Sequence, residues 1–144
     1  MGIADKLAQI NAEKAAANLK TGLDFLAANK NKEGVTELPS GLQYEVIVMG
    51  DGPKPSATNE VNCHYHGTTI DGSVFDSSVQ RGTPAKFPLN RVISGWTEGL
   101  QLMPTGSKWR FFIPPHLAYG DRAISAQIGA NSTLIFEVEL ISFR

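Results

Sequence analysis

The chain has 144 residues, which is enough for one domain with its own hydrophobic core and too few for two domains of ordinary size. Thirteen basic and fourteen acidic side chains leave a formal net charge of −1, so the basic patch of a nucleic-acid binder is missing and no nucleic-acid partner is expected. With 42 % hydrophobic and 19 % charged residues, and no apolar run of about 20 residues, the sequence predicts a soluble protein without a membrane partner.

The N-terminus and the single cysteine bear on the cellular compartment. Residues 1–5 lack a basic stretch followed by an apolar one, so no secretory signal is visible and a cytoplasmic location is predicted. A chain whose leader had been removed, and which worked in the periplasm or at the cell surface, would read the same. Because Cys63 is the only cysteine, the fold cannot depend on an intrachain disulfide.

The first segment, from Ile3 to about Asn29, predicts one long helix or two short ones. It has no proline and is rich in Ala, Leu, Lys, Glu and Gln, which are good helix formers. On a helical wheel its apolar residues form two stripes on nearly opposite sides. Either both stripes pack on the domain, or the earlier one binds a second copy and makes a homodimer. The earlier stripe is Ile3, Leu7 and Ile10, and the later one is Ala12, Ala16, Leu19, Leu23 and Leu26.

A polar run, NKNKEGVTELPS, ends the helical pattern with Gly34 and Pro39. It separates a helical appendage (residues 1–30) from a domain (residues 41–144), with a linker at residues 31–40. Four later segments are rich in β-branched and aromatic residues and predict strands, with one short helix at residues 92–102. This pattern indicates an α+β domain in which the helix covers an antiparallel sheet. The predicted strands are residues 42–49, 61–69, 107–113 and 133–143.

Four segments carry a family resemblance. They are VNCHYHGTTIDGSVFDSS (61–78), RGTPAKFPLNRVISGWTEGLQLMPTGSKWRFFIP (81–114), LAYG (117–120) and NSTLIFEVEL (131–140). In this order they resemble the FKBP family of peptidyl-prolyl cis/trans isomerases. The helix followed by NKNKEGVTELPSGLQY is similar to the bacterial branch related to macrophage infectivity potentiator proteins.

The resemblance implies a strongly bent antiparallel β-sheet wrapped around one short helix, preceded by the N-terminal helical appendage. It also implies an enzyme that accelerates X–Pro isomerisation in protein folding, with proline-containing polypeptides as substrates and no cofactor. Binding of the macrolides rapamycin and tacrolimus is implied in the same way. In this bacterial branch the helical region commonly builds a dimer.

The same resemblance implies a pocket between helix and sheet, with Trp96 as its floor. Tyr119 is expected to donate its hydroxyl to a substrate carbonyl, and Arg81 to support Asp76 by pairing with it. The residues carried over as catalytic are Tyr65, Asp76, Tyr119 and Phe136. Those carried over as substrate-binding are Phe75, Phe87, Val92, Ile93, Trp96 and Ile128.

The residue types suit this chemistry, because rotation about an X–Pro bond breaks no bond and an apolar pocket favours the twisted, less polar amide. Each of these residues also has a purely structural interpretation. Trp96 could only pack in the core, and Asp76 could only cap a turn through its side chain. His64 and His66 share a strand face, but without further ligands no metal site is predicted. An alternative function is a chaperone or protein-binding module with incidental isomerase activity.

Two places depart from the family pattern. Ala85 stands where many relatives carry an aromatic residue, so one wall of the pocket should be lower. The segment DRAISAQIGAN (121–131) replaces a glycine-rich loop that usually ends in Ile-Pro-Pro: Ile128 remains, but Gly129 and Ala130 take the places of the prolines. Losing two prolines removes local restriction, so altered loop mobility and substrate selectivity are expected.

Overall fold

A long N-terminal helix leads into a seven-stranded sheet in the computed structural model, which describes residues 2–125 and 127–144. The helices are α1 (Ile3–Asn29), α2 (Ser78–Arg81) and α3 (Ser94–Leu100), with short 3-10 turns at Leu89–Arg91 and Pro115–Leu117. The strands are β1 (Val35–Glu37), β2 (Gln43–Val48), β3 (Glu60–Thr69), β4 (Val74–Ser77), β5 (Ala85–Pro88), β6 (Lys108–Ile113) and β7 (Leu134–Phe143).

The sheet is antiparallel and runs in the order β1-β2-β6-β7-β3-β4, while β5 pairs with β3. The central pair is β3 with β7, in register from Val61 opposite Phe143 to Thr69 opposite Leu134. The register shifts once in each of the β2–β6, β3–β4 and β3–β7 pairs. Such bulges increase local twist, which lets the sheet curve around a helix.

The core lies between the sheet and α3. Alternate residues of the central strands point to the same face, where they meet the buried side chains of Trp96 and Leu100 from α3. The predicted α+β architecture, with a helix covering an antiparallel sheet, is therefore confirmed. The strand residues on this face include Trp109, Phe111, Ile113, Phe136, Val138 and Leu140.

The sequence pattern missed the shortest elements. Strands β1, β4 and β5 have three or four residues each, which is too short for a readable alternation. The helix predicted over residues 92–102 is shorter because Val92 and Ile93 have extended backbones and α3 starts at Ser94. β1 lies inside the predicted linker, and the division into appendage, linker and domain stays a prediction.

The C-terminal part of α1 is docked on the sheet by one aromatic contact and a buried amide pair. The ring of Phe25 packs on that of Phe112, with 6.0 Å between centroids. The side chain of Asn29 donates to that of Gln43 over 2.7 Å, and Gln43 donates to the carbonyl of Leu26 over 2.9 Å. Because Asn29 and Gln43 are buried, these bonds replace those that water would make.

Among residues 2–125 and 127–144, no such contact involves the start of α1. Ile3, Leu7 and Ile10 are exposed, so the reading in which both apolar stripes pack on the domain is wrong for the earlier stripe. The later stripe is also only partly used, since Leu23 is 53 % exposed. The buried side of the helix instead contains Gly22, Leu26 and Asn29. A wheel drawn from apolar residues alone cannot detect a docking face built on glycine and asparagine.

Gly22 gives a test of this docking. A Cβ added there would lie 2.4 Å from Oγ1 of Thr133, which is buried and β-branched and so has little freedom to turn away. Glycine to alanine in a helix normally stabilises by roughly 0.5–1 kcal/mol. At this position we expect Gly22→Ala to lower the free energy of unfolding by about 1–3 kcal/mol, because a close-packed contact becomes overfilled.

Urea denaturation of wild type, Gly22→Ala, Thr133→Ala and the double variant measures these free energies of unfolding. The hydroxyl of Thr133 has no hydrogen-bond partner in the described part of the chain, so Thr133→Ala alone should cost little. It should also relieve much of the loss caused by Gly22→Ala. A stabilising effect of Gly22→Ala in the wild-type background would contradict the observed packing of α1.

Candidate active site

Three aromatic rings pack directly on Trp96 of α3, and a fourth packs on one of those three. Tyr65 of β3, Phe87 of β5 and Phe136 of β7 lie 5.5, 5.5 and 5.3 Å from Trp96, centroid to centroid, with interplanar angles of 78°, 86° and 87°. Phe75 of β4 meets Phe136 at 5.3 Å and 86°. Edge-on packing of this kind is the favoured aromatic geometry. We call these five residues the aromatic cluster.

Strand register brings the cluster together. Phe87 is paired with Val61 on one edge of β3, and Phe136 is paired with Gly67 on the other. A Cβ on Gly67 would lie 2.7 Å from the ring of Phe75 and 2.8 Å from that of Phe136. Gly67 therefore makes the room that the two rings occupy. Sequence reasoning missed it, although a glycine inside a strand is itself a signal of close approach.

The cluster has a buried base and a partly exposed rim. Trp96 is only 4 % exposed, and Tyr65 and Phe136 are also buried. Phe75, Phe87, Val92 and Ile93 are half-buried and pack against the core. Trp96 is thus a core residue, and its role as the floor of a pocket stays a prediction that its burial allows.

A polar unit is joined to the aromatic cluster through Tyr65. The Tyr65 hydroxyl donates to Oδ2 of Asp76 over 2.7 Å, and Arg81 donates to Oδ1 of Asp76 over 2.5 Å and to the Tyr65 hydroxyl over 2.8 Å. The guanidinium carbon also lies 5.6 Å from the centroid of the Tyr65 ring. We call Tyr65, Asp76 and Arg81 the polar clamp.

Helix α2 delivers Arg81 to this position. The Ser77 hydroxyl caps the helix by accepting from the backbone N–H of Gln80, and Gly82 ends it in the left-handed conformation. One short turn therefore returns the chain so that Arg81 faces Asp76, five residues earlier. The buried Ser78 hydroxyl fixes the same turn to β3 by accepting from the Tyr65 N–H over 2.7 Å.

The clamp shifts the pKa values of its members. Burial tends to raise the pKa of Asp76, but hydrogen bonds from Tyr65 and Arg81 outweigh it, so the pKa lies below the usual carboxyl range. Burial, followed by the hydrogen bond to Asp76, raises the pKa of Tyr65. At neutral pH the clamp therefore contains a carboxylate, a neutral phenol and a guanidinium.

Tyr119 and Ile128 lie on the segment between the 3-10 turn Pro115–Leu117 and β7. Tyr119 is 37 % exposed, and its hydroxyl makes no hydrogen bond to the described residues. Ile128 is buried and belongs to the same core as Trp96. Among the described residues no ring contact joins Tyr119 to the cluster. The catalytic and binding roles carried over from the family stay predictions.

The two strand histidines have local partners. Nδ1 of His64 lies 3.0 Å from the Ser78 hydroxyl, and Nδ1 of His66 lies 2.8 Å from the Ser77 hydroxyl. Within residues 2–125 and 127–144 no group of three His, Cys, Asp or Glu side chains is arranged to hold a metal ion. Among the same residues, no helix has the length and apolarity needed to cross a membrane.

Comparison with known proteins identifies the family. Residues 52–141 match the family described as FKBP-type peptidyl-prolyl cis-trans isomerase, and residues 1–46 match the domain amino terminal to FKBP-type peptidyl-prolyl isomerase. The chain belongs to the FKBP-type peptidyl-prolyl cis-trans isomerase family, and the resemblance read from its motifs is confirmed.

Relatives and solved structures agree with this. The chain is 55 % identical over 141 residues to the FKBP-type peptidyl-prolyl cis-trans isomerase FkpA of Aeromonas hydrophila, covering 97 % of this chain and 52 % of that protein. It is 51 % identical over 142 residues to the outer membrane protein MIP of Legionella longbeachae, covering 99 % and 60 %. The crystal structure of FkpA from Escherichia coli superimposes with a TM-score of 0.91 at 39 % identity, covering 95 % of this chain and 64 % of that one.

A peptidyl-prolyl cis-trans isomerase from Pseudomonas syringae pv. tomato matches over nearly its whole length. Its TM-score is 0.83 at 43 % identity, covering 90 % of this chain and 95 % of that one. The chain spans between half and two thirds of the two relatives named above. The predicted cytoplasmic location has no support from these relatives, one of which is named an outer membrane protein.

The polar clamp predicts a defined dependence of stability on pH. Because the pKa of Asp76 is lowered in the folded protein, its charge contributes stability that is fully present above the unfolded carboxyl pKa of about 3.9. That contribution is lost as the pH falls through the folded value. The difference in unfolding free energy between wild type and Asp76→Asn should therefore favour wild type at pH 6 and shrink below about pH 4.

Denaturation of both proteins at several pH values between 2 and 6 measures this difference, and other titrating groups cancel in it. Arg81→Gln should weaken the effect, since it removes one of the bonds that lower the Asp76 pKa. A difference that stays constant from pH 6 to pH 2 would show that Asp76 does not hold its charge through the clamp.

Proposed function

We propose that this chain catalyses cis/trans isomerisation of X–Pro bonds in polypeptides, and that the aromatic cluster is where the proline binds. The observation that carries the proposal is the aromatic cluster itself: a buried base at Trp96 with half-buried apolar side chains around it, next to a fixed polar clamp. Membership of the isomerase family supports the same assignment.

The reaction needs shape and dryness rather than a nucleophile. Rotation about the C–N bond must pass a barrier of about 18–20 kcal/mol, because resonance gives that bond partial double-bond character. The planar amide is polar and well solvated, whereas the twisted amide has lost its conjugation. An apolar hollow that excludes water therefore disfavours the planar form relative to the twisted one. Each ~1.4 kcal/mol of that preference raises the rate tenfold.

The hydrogen bonds of the clamp divide the roles of the two tyrosines. A phenol has one proton to donate, and Tyr65 already gives its proton to Asp76 while accepting from Arg81. Tyr65 therefore serves as a wall held in a fixed orientation. Tyr119 is partly exposed and its hydroxyl has no partner among the described residues, so its proton is available for a substrate carbonyl.

Asp76 is not a general acid in this proposal. Both of its carboxylate oxygens accept hydrogen bonds, and its lowered pKa keeps it ionised at neutral pH. Its part is to hold the ring of Tyr65 against the cluster and to place a fixed negative charge beside the hollow. No proton transfer is needed, because isomerisation leaves every covalent bond of the substrate in place.

Tyr119→Phe separates the two tyrosine roles. We expect kcat/KM for a proline peptide to fall roughly two- to tenfold, which corresponds to the loss of one hydrogen bond in the transition state. Tyr44→Phe is the matched control: it removes the same hydroxyl from a tyrosine that stacks on Trp109, outside the aromatic cluster, and should leave kcat/KM unchanged.

A protease-coupled assay with a proline-containing tetrapeptide measures these rates. Asp76→Leu should also lose activity, because the Tyr65 hydroxyl loses its acceptor. Equal activity of Tyr119→Phe and wild type would remove the donor role of Tyr119. Absence of turnover by wild-type protein would remove the enzyme assignment altogether.

We also propose that the hollow binds rapamycin and tacrolimus, as the family resemblance implies. A buried aromatic floor with few polar groups is the usual form of a small-molecule site. Calorimetric titration should give binding to wild type and weaker binding to Trp96→Leu, which removes the floor. If the two proteins bind equally tightly, the macrolide occupies another site.

A homodimer through the start of α1 is proposed for the stripe that the domain leaves uncovered. Ile3, Leu7 and Ile10 are exposed at one turn spacing, and a helix with an apolar stripe is stabilised by covering it. Leu7→Lys with Ile10→Lys should lower the molar mass measured by sedimentation to that of one chain. Leu23→Lys, an exposed leucine later in the same helix, is the control that should not change it.

The alternative function, a chaperone or binding module, uses the same stripe for unfolded clients. Suppression of aggregation that survives Asp76→Leu but is lost with Leu7→Lys would support it.

For location we propose the periplasm or cell surface, in keeping with the relative named an outer membrane protein. The single thiol is compatible with an oxidising compartment of this kind. Burial raises the pKa of Cys63 to about 12, so the thiol stays protonated and unreactive.

A further inference from the structure

Helix α1 also contacts the loop that carries Ile128, one turn before Gly22, where the helix packs against Thr133. The side-chain amide of Asn18 donates to the carbonyl of Ala130 over 2.9 Å. In the opposite direction, the side-chain amide of Asn131 donates to the carbonyl of Ala15 over 3.2 Å. These two reciprocal bonds join one turn of the helix to two consecutive residues of the loop, and we call them the asparagine clasp.

Asn131 connects the clasp to both ends of the loop. It has a φ of 60°, in the left-handed region that asparagine tolerates better than most residues. In this conformation its backbone N–H donates to the carbonyl of Gly120 over 2.8 Å, while its side chain reaches α1. Since Gly120 directly follows Tyr119, the residue that closes the loop also fixes the backbone beside the proposed hydroxyl donor.

Hydrogen bonds within the loop hold the backbone of Ile128. Its carbonyl accepts from the N–H of Ile124 over 2.8 Å, and its own N–H donates to the Ser125 hydroxyl over 3.1 Å. The side chain is 5 % exposed and packs in the core with Trp96. Only Gly129 separates Ile128 from the residue that Asn18 binds.

The residue at position 129 fits this contact. A Cβ on Gly129 would lie 2.9 Å from Nδ2 of Asn18, so a larger residue would press on the amide that makes the bond. The place where the sequence departs from the Pro-Pro of its family is therefore the place where α1 meets the loop. Two prolines restrict a loop through their rings, whereas in this chain hydrogen bonds from another element restrict it.

We propose that α1 is a positioning element of the isomerase pocket, and that Asn18 and Asn131 determine substrate selectivity by fixing the segment that carries the Ile128 wall. This inference rests on the proposed isomerase function. Ile128 and Tyr119 lie at opposite ends of one loop, and the clasp holds that loop at its closing point. A shift of the clasp moves the wall and the donor relative to the Trp96 floor, which changes how the residue before proline is accommodated.

Three variants test the clasp. Asn18→Ala removes one bond, and Asn131→Gly removes the other while keeping a residue that adopts the left-handed backbone. Asn11→Ala is the matched control: it is the same residue type on the same helix, two turns earlier, exposed and without a side-chain hydrogen bond in the described part of the chain. All three would be made in the full chain.

The measurement is kcat/KM for tetrapeptides that differ only in the residue before proline. We expect Asn18→Ala and Asn131→Gly to change the ratio between the best and the poorest peptide by roughly two- to tenfold, mainly through KM. Asn11→Ala should leave the ratio unchanged. A variant that only reduces the amount of folded protein lowers every rate equally and leaves the ratio as it was. An unchanged ratio in both clasp variants would overturn the proposal.

A second readout does not depend on turnover. The methyl signals of Ile128 in NMR spectra should shift in Asn18→Ala and Asn131→Gly but not in Asn11→Ala, and the amide of residue 131 should exchange faster in Asn18→Ala. If wild type proves inactive, the enzyme proposal fails while these signals still report on the clasp. Ile128 signals that match wild type in both clasp variants would show that α1 does not position the wall.

Discussion

The packing of Trp96 against rings from three strands is the contact on which the rest of this structure depends. Tyr65, Phe87 and Phe136 each approach the indole nearly edge-on, at centroid distances between 5.3 and 5.5 Å. Because the three rings come from β3, β5 and β7, they join α3 to both edges of the central strand. The same packing closes the core and forms the floor on which we propose that the proline binds, so in this account stability and binding share one set of side chains.

Two polar devices, the polar clamp and the asparagine clasp, each fix one segment of the protein. In the clamp of Tyr65, Asp76 and Arg81, the phenol proton and both carboxylate oxygens are engaged within the clamp, which fixes a ring and a charge. The asparagine clasp ties the loop at residues 130 and 131 to helix α1. One device is built from residues close in sequence, and the other joins residues 112 and 116 positions apart.

This difference explains how much the sequence could reveal. The four longer strands, the short helix and the residues of the aromatic cluster lie in contiguous motifs, so pattern and family resemblance located them together, whereas β1, β4 and β5 were missed. Gly22, Gly67 and Asn18 were not found, because their importance lies in what touches them across the fold. A glycine in a helix reads as a weak position until Thr133 is seen against it. The exposed start of α1 allowed two readings for the same reason: a wheel shows that a stripe exists and not what covers it.

The central claim is that proline isomerises while bound over the Trp96 floor. Exchange NMR of a proline peptide at equilibrium tests it most directly, because it records both the interconversion rate and the protein protons near the proline ring. We predict faster cis/trans exchange in the presence of wild-type protein, together with nuclear Overhauser contacts between the proline ring and the indole of Trp96. Unaltered exchange, or faster exchange with proline contacts only to residues outside the aromatic cluster, would contradict the account.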